Sequence, residues 1–450
     1  MTLLLRRRSF LNSVAGAALG GLVGGCATPR IRDDQNAANS EDLKALMVGE
    51  GDGAFNFTPD VERTMLDSEW EPLRAAPTDW SWWDLDTDKQ QPVSWAPPQF
   101  CNDYQALFEE FNPPPSKTVV ISHDLMEWLA ERNAFDLADE TRIVLGLRGS
   151  MLVASEDDSG WRDRVEISLV EPNHKDMRCL IGVWDRSAKK VRLFRASTVP
   201  EVSYMWLQAT LASGANLLPT GLYKYYVGTH NLSSTRVSQV GALRLSGYHF
   251  AGRDHDDRNI YVLRTLNDLT YSIGDETELW DICQPYDNIH AGIFGADSQN
   301  YLVGSKGQKF SSAGCQVLPG GYRLHNNSQG KRAYTNEPIG AWRRFRAALG
   351  LAESPIMRPE GGTTDDGKHF YYMLLTGWDA AYGASRDPKV MERYFPLRPG
   401  SSGRRVEAHQ AGIGVKQSGK FDAQTAERTI FYKRVIAELP ESSVTLDRTF

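Results

Sequence analysis

One cysteine and one histidine form the pair in this chain best suited to covalent chemistry. Cys315 closes the run Ser311-Ser312-Ala313-Gly314-Cys315, and His290 lies upstream in Asn288-Ile289-His290. An unassisted thiol, with a pKa of ~8.5, is only a few per cent thiolate at neutral pH. A neighbouring base or an electropositive backbone changes that. His290 is the candidate general base, and the amides around Gly314 and Cys315 are candidate donors to an oxyanion. Two residues so far apart in sequence mean little alone, so the surrounding elements must be shown to bring them together.

The remaining cysteines are Cys26, Cys101, Cys179 and Cys283. If Cys26 carries a lipid and Cys315 stays a free thiol, one disulfide at most can form, which excludes a disulfide framework. Neither Cys-x-x-Cys nor His-Glu-x-x-His spacing occurs, so the sequence predicts no metal site, and the thiol chemistry requires no cofactor. The net charge is −7 over 450 residues. Such an acidic chain lacks the electrostatic footprint of a nucleic-acid binder.

The first residues read as an export signal over 1–25. Arg6-Arg7-Arg8-Ser9-Phe10-Leu11-Asn12 precedes a small, apolar run from Val14 to Gly25 and then Cys26. That run is well short of the ~20 residues a membrane span needs. The order Arg-Arg-x-Phe-Leu resembles a twin-arginine signal, and Val23-Gly24-Gly25-Cys26 resembles a lipobox. The resemblance implies a lipid on Cys26 and a periplasmic, outer-membrane location; an ordinary signal cut near Ala27 is the alternative. Losing three arginines and no acid moves the net charge to −10.

A polar tether is expected over 26–69. An arm over 70–117 carries Trp70, Trp80, Trp82, Trp83 and Trp95 among Pro and Asp residues. It either stacks on sugar rings or packs against a neighbouring domain. From 118 to 385 the pattern is mainly β with a few helices, an α+β region. His123–Arg132 reads as a helix, and Leu180–Arg186 with Val191–Arg195 as a hairpin. Gly221–Val227, Ala242–Leu245, Asn259–Leu263 and His369–Leu375 read as further strands, and Ile339–Leu349 as an amphipathic helix. Residues 393–437 form a compact helical unit opened by Gly-rich turns, and 438–450 a tail.

The core of the middle region, 178–325, resembles an L,D-transpeptidase catalytic domain, the cysteine family that remodels peptidoglycan cross-links. The likeness lies in the Leu180–Arg195 hairpin, the turn Leu218-Pro219-Thr220-Gly221, and the ordered pair Asn288-Ile289-His290 and Ser312-Ala313-Gly314-Cys315. It implies a β-sandwich catalytic domain, Cys315 as acylated nucleophile, His290 as proton acceptor, Gly314 as part of the oxyanion backbone, and Ser312 as the motif serine. The chain departs from the pattern at Ala313, where a second histidine is usual, and at Gln316-Val317, where Ile-Arg is usual. The interval from His290 is also lengthened by a loop around Ala296–Lys309. Arg323 is a candidate for the missing positive charge.

Arg398–Gln410 and Gly419–Thr425 resemble a peptidoglycan-binding helical domain, with His409 in place of Leu and Tyr432-Lys433 in place of Phe-Gln. The implied partners are peptidoglycan stem peptides, with glycan as a further candidate, and the membrane through Cys26. Transfer to an amine and hydrolysis as a carboxypeptidase or endopeptidase both stay open. So does a non-catalytic, peptidoglycan-binding lipoprotein. A cysteine peptidase whose histidine follows its cysteine would use His325 or His369 instead.

Overall fold

The computed structural model describes residues 117–436 apart from 138–139, 155, 171, 173–176, 202–214, 233–236, 246–259, 265–279, 284, 286, 293–311, 327–331 and 358–362. The signal, Cys26, the tether, the Trp-rich arm up to 116, the Ala296–Lys309 loop and the 438–450 tail therefore lie outside the described residues.

Strand β1 (Thr118–Ser122) runs into helix α1 (His123–Arg132). Ser122 caps the helix by accepting from the Leu125 amide at 3.3 Å, and Asp124 and Arg132 complement its two ends. Leu125, Met126, Leu129 and Ala130 fall on one face and are buried. The chain continues through β2 (Arg142–Arg148), β3 (Ser150–Leu152), β4 (Arg164–Leu169), β5 (Cys179–Asp185) and β6 (Lys190–Ala196). Next come β7 (Asn216–Leu217), β8 (Gly221–Leu232), β9 (Val237–Arg244), β10 (Ile260–Arg264) and β11 (Trp280–Cys283). Strands β12 (Ile289–Gly292), β13 (Gln316–Pro319), β14 (Gly321–Asn326) and β15 (Arg332–Ile339) lead to α2 (Gly340–Ala348), β16 (His369–Thr376), α3 (Gly377–Ser385) and α4 (Pro388–Arg393).

Eight strands form the main sheet in the order β13-β12-β9-β8-β16-β2-β5-β6. The β12–β13 and β16–β2 pairs are parallel and the others antiparallel. Ser197, just past β6, exchanges both backbone hydrogen bonds with Val317 of β13 at 2.9 Å each. The two edges of the sheet thus come back to each other. The result is a mixed α/β protein with a large, nearly closed β-sheet and few helices.

The apolar runs of the central strands follow from burial on both faces. Ile143, Leu145 and Leu147 of β2 pack with Trp184, Met373 and the α1 and α3 residues Leu129 and Tyr382. Val144, between them, faces the opposite cluster of Ile181, Tyr225, Tyr372, Ile289 and Leu318, capped by Trp342 and Phe345 of α2. Buried Arg148 at the end of β2 donates to Thr198 Oγ1, the Thr198 carbonyl and the Leu218 carbonyl. It ties β2 to the segments after β6 and before β8.

At the C-terminal end, α5 (Arg404–Ile413), α6 (Ala423–Phe431) and a π turn (Tyr432–Ile436) surround a small core of Leu397, Val406, Phe421, Ala426 and Ile430. His409 behaves as core here: it stacks on Phe421 with planes 3° apart, and its Nε2 meets Thr429 Oγ1 at 2.8 Å. Tyr432 is only half-buried, whereas Lys433 beside it is fully buried.

This unit is joined to the main sheet by a fully buried ion pair. Arg398 reaches Asp379 Oδ1 at 3.0 Å and Oδ2 at 3.2 Å, and it donates to Thr220 Oγ1 at 2.9 Å. Asp379 also caps α3 through Thr376 and accepts from Tyr394 Oη at 2.8 Å. Removing one partner of such a pair strands a buried charge. Arg398→Ala is therefore expected to lower unfolding free energy by ~3–5 kcal/mol in chemical denaturation. Truncating the exposed Arg323–Glu337 pair should leave the midpoint nearly unchanged.

Candidate active site

The parallel pairing of β12 with β13 decides the geometry of the site. Its register sets Ile289 beside Gln316 and His290 beside Val317. Cys315 is the residue immediately before β13, so the imidazole and the thiol emerge from adjacent strands. The Gln316 amide donates to the Asn288 carbonyl at 2.8 Å and fixes that register. One ring nitrogen of His290 and Cys315 Sγ lie within 4.8 Å of each other. His290 Nδ1 donates to the Ala291 carbonyl at 2.8 Å, which sets the tautomer and leaves Nε2 with its lone pair.

The turn carrying the cysteine is held from several sides. Glu201 and Asn216 amides donate to the Ser312 and Ala313 carbonyls at 2.8 and 2.9 Å. Ser312 Oγ donates to the Cys315 carbonyl at 2.7 Å and accepts the Gly314 amide at 3.3 Å. The Gly314 amide, expected as an oxyanion donor, is thus turned onto the Ser312 hydroxyl. Gln316 Nε2 donates to the Gly314 carbonyl at 3.0 Å and its Oε1 accepts from Tyr372 Oη at 3.1 Å. Gly314 has a φ of +151°, and a Cβ there would sit 2.3 Å from Asp287 Oδ1 and 2.8 Å from Asn216 Cβ. Only glycine fits against those two side chains.

A second histidine, not anticipated from the sequence, completes the cluster. His230 of β8 stacks on His290 with ring centroids 4.7 Å apart and planes inclined 27°. A ring nitrogen of each and Cys315 Sγ all lie within 4.8 Å of one another, and all three residues are buried. Asn288 Nδ2 lies 3.0 Å from His230 Nδ1. The strand expected over Gly221–Val227 runs on to Leu232, and the extension carries this histidine. Its pairing with β9 shifts register between Gly228 and Thr229, where Gly241, at φ +77°, is the extra residue. The extra residue is on β9, so β8 keeps its own alternation, and His230 falls on the even-numbered face with buried Leu222, opposite Tyr223, Tyr225 and Val227.

Burial dominates the electrostatics. It pushes the His290 pKa down to about 4 and the His230 pKa well below the usual imidazole value. It pushes the Cys315 thiol far above the usual thiol range, and the Asp287 carboxylate adds to that shift. The amides of Asn288 and Cys315 act in the opposite sense, donating toward the sulfur. At neutral pH the site therefore holds a neutral thiol beside neutral imidazoles.

The other candidates go elsewhere. Arg323 pairs with Glu337 at 3.1 Å and is more than half exposed. His369 is part-exposed and meets Glu140 at 3.1 Å. Nothing is described for the His325 side chain. Cys179 is a free, buried thiol that accepts from Thr198 Oγ1 at 3.2 Å. No known family profile matches the chain, nor does any curated protein or solved structure.

Gly314→Ala drives a methyl group into Asp287 and Asn216. It should destabilise the fold by ~1–3 kcal/mol in a denaturant titration. Stability equal to wild type would mean that Asp287 and Asn216 do not confine the turn.

Proposed function

We propose that the protein is a peptidoglycan-remodelling cysteine acyltransferase of the L,D-transpeptidase kind, anchored in the envelope by a lipid on Cys26. The observation that carries this reading is the meeting of His290 and Cys315 from adjacent parallel strands, with Nε2 of His290 left as the free base. The order of the hairpin, Pro-Thr-Gly turn, histidine and Ser-Ala-Gly-Cys turn supports it.

In this reading Cys315 Sγ attacks a stem-peptide carbonyl as its proton passes to His290 Nε2. The C–S bond forms and the C–N bond breaks, and the imidazolium returns the proton to the departing amine. Proton transfer is coupled to attack, because both partners rest in the neutral form. The Ser312 hydroxyl would have to release the Gly314 amide for it to join the oxyanion site; each donor there is worth ~3 kcal/mol. An acceptor amine resolves the thioester as a transpeptidase, and water resolves it as a carboxypeptidase or endopeptidase.

A second reading, a non-catalytic peptidoglycan-binding lipoprotein, is favoured by the depth of the thiol, since Cys315 is 9% exposed. Mass spectrometry after incubation with a carbapenem or a labelled stem peptide separates the two. The enzyme reading expects one acyl adduct on Cys315, absent in Cys315→Ala and formed ~100-fold more slowly in His290→Ala. No adduct on the wild-type protein favours the lipoprotein.

The pH dependence follows from the base. His290 must be neutral to accept the proton, and with a pKa of about 4 it remains so across pH 5–7. Acylation in metal-free buffer should be flat over that range and fall with acid only near pH 4. A fall already centred at ~6.5, the ordinary imidazole value, would place His290 in water instead.

A further inference from the structure

We propose that Cys315, His230 and His290 form a binding site for a borderline-soft divalent cation of the zinc type, and that loading it silences the Cys315 thiol. The second half rests on the reading of Cys315 as a nucleophile; the first does not. Three donors arrive from three separate elements: β8, β12 and the turn before β13. One ligand atom from each lies within 4.8 Å of the others. In a tetrahedral zinc site with bonds of 2.0–2.3 Å, ligand atoms stand roughly 3.5 Å apart. The cluster must therefore tighten by on the order of 1 Å, within reach of small side-chain rotations. Two imidazoles and a thiolate make a donor set that suits zinc and copper and leaves a fourth position for water.

The surrounding groups are those a metal-bound histidine uses. His290 Nδ1 already donates to the Ala291 carbonyl, which leaves Nε2 as the nitrogen with a lone pair for a metal. For His230 the partner is the Asn288 amide. As placed, its nitrogen faces the ring, and its buried Oδ1 finds no partner among the described residues. Turned over, the amide sets Oδ1 against Nδ1–H and frees the Nε2 lone pair of His230. The Asp287 carboxylate beside the turn repels a thiolate but offsets the charge of a bound cation. The site is also deeply buried, with His230 and His290 each 2% exposed, so a cation there would be shielded from bulk solvent.

Binding exchanges the thiol proton for the metal: a sulfur–metal bond forms and the proton leaves to solvent. The sulfur lone pair and the His290 Nε2 lone pair are then both taken up by the cation. Neither attack nor proton transfer can proceed until the metal is removed.

Cobalt(II) makes the site visible. The full chain, stripped with chelator, is titrated with cobalt and then with zinc. The expected result is one thiolate-to-cobalt charge-transfer band per chain, with the visible bands of tetrahedral cobalt, all abolished by zinc. Cys315→Ser should lose the charge-transfer band, Cys179→Ser should keep it, and His230→Gln or His230→Asn should weaken cobalt binding at least ~10-fold. Near-ultraviolet circular dichroism identifies which variants fold. No band in the wild-type protein, a band that survives Cys315→Ser, or wild-type cobalt affinity in both folded His230 variants overturns the site. Silencing is read separately as carbapenem adduct formation, which should occur in stripped protein and fall at least ~100-fold with zinc. An equal adduct yield with and without zinc overturns the silencing. A cobalt band with no adduct in stripped protein keeps the site and ends the nucleophile reading.

Discussion

The parallel alignment of β12 and β13 is the constraint on which the site depends. Parallel neighbours cannot be joined by a tight turn, so a long connection must leave one strand and return to the same end of the other. That return is why His290 and Cys315 can be distant in sequence and adjacent in space. The backbone exchange between Ser197 and Val317 then holds β13 from its other side. With both neighbours in place, the turn before β13 has little freedom, and Gly314 meets the resulting crowding by having no Cβ.

A buried thiol flanked by two buried imidazoles faces two opposed demands. Low dielectric penalises every charged form, so the resting cluster is neutral. The same low dielectric strengthens any charge that is compensated on arrival. The Asn288 and Cys315 amides aimed at the sulfur supply some compensation for a thiolate, while Asp287 works against it. The balance favours events that bring their own compensation: a proton moving to His290 as the sulfur attacks, or a cation arriving as the proton leaves.

Elements with a regular period were legible in the sequence. The helix His123–Arg132 shows its cap and buried face, and the β5–β6 hairpin shows alternation on both sides of a polar turn. That His290 and Cys315 would lie close was an expectation drawn from the family resemblance of the ordered motifs, and their ligand atoms do lie within 4.8 Å. His230 was not anticipated. Its strand was expected over Gly221–Val227, and the structure carries it on to Leu232. Arg323 illustrates the converse: proximity in sequence to Cys315 suggested a role, whereas β14 pairs with β15 and gives it Glu337. Asp287 and Asn216 escaped notice because their importance lies in crowding one glycine, a contact with no sequence pattern.

Arg398 carries a further lesson about the C-terminal unit. In sequence it marks the entry to a separate helical module, but in space its guanidinium is buried against Asp379 and Thr220. The Pro399 carbonyl accepts the Leu222 amide at 2.9 Å, and a Cβ at Gly221 would meet that carbonyl at 2.5 Å. The entry to the module is therefore built into the first residues of β8, whose far end carries His230. A module so attached is no free tether.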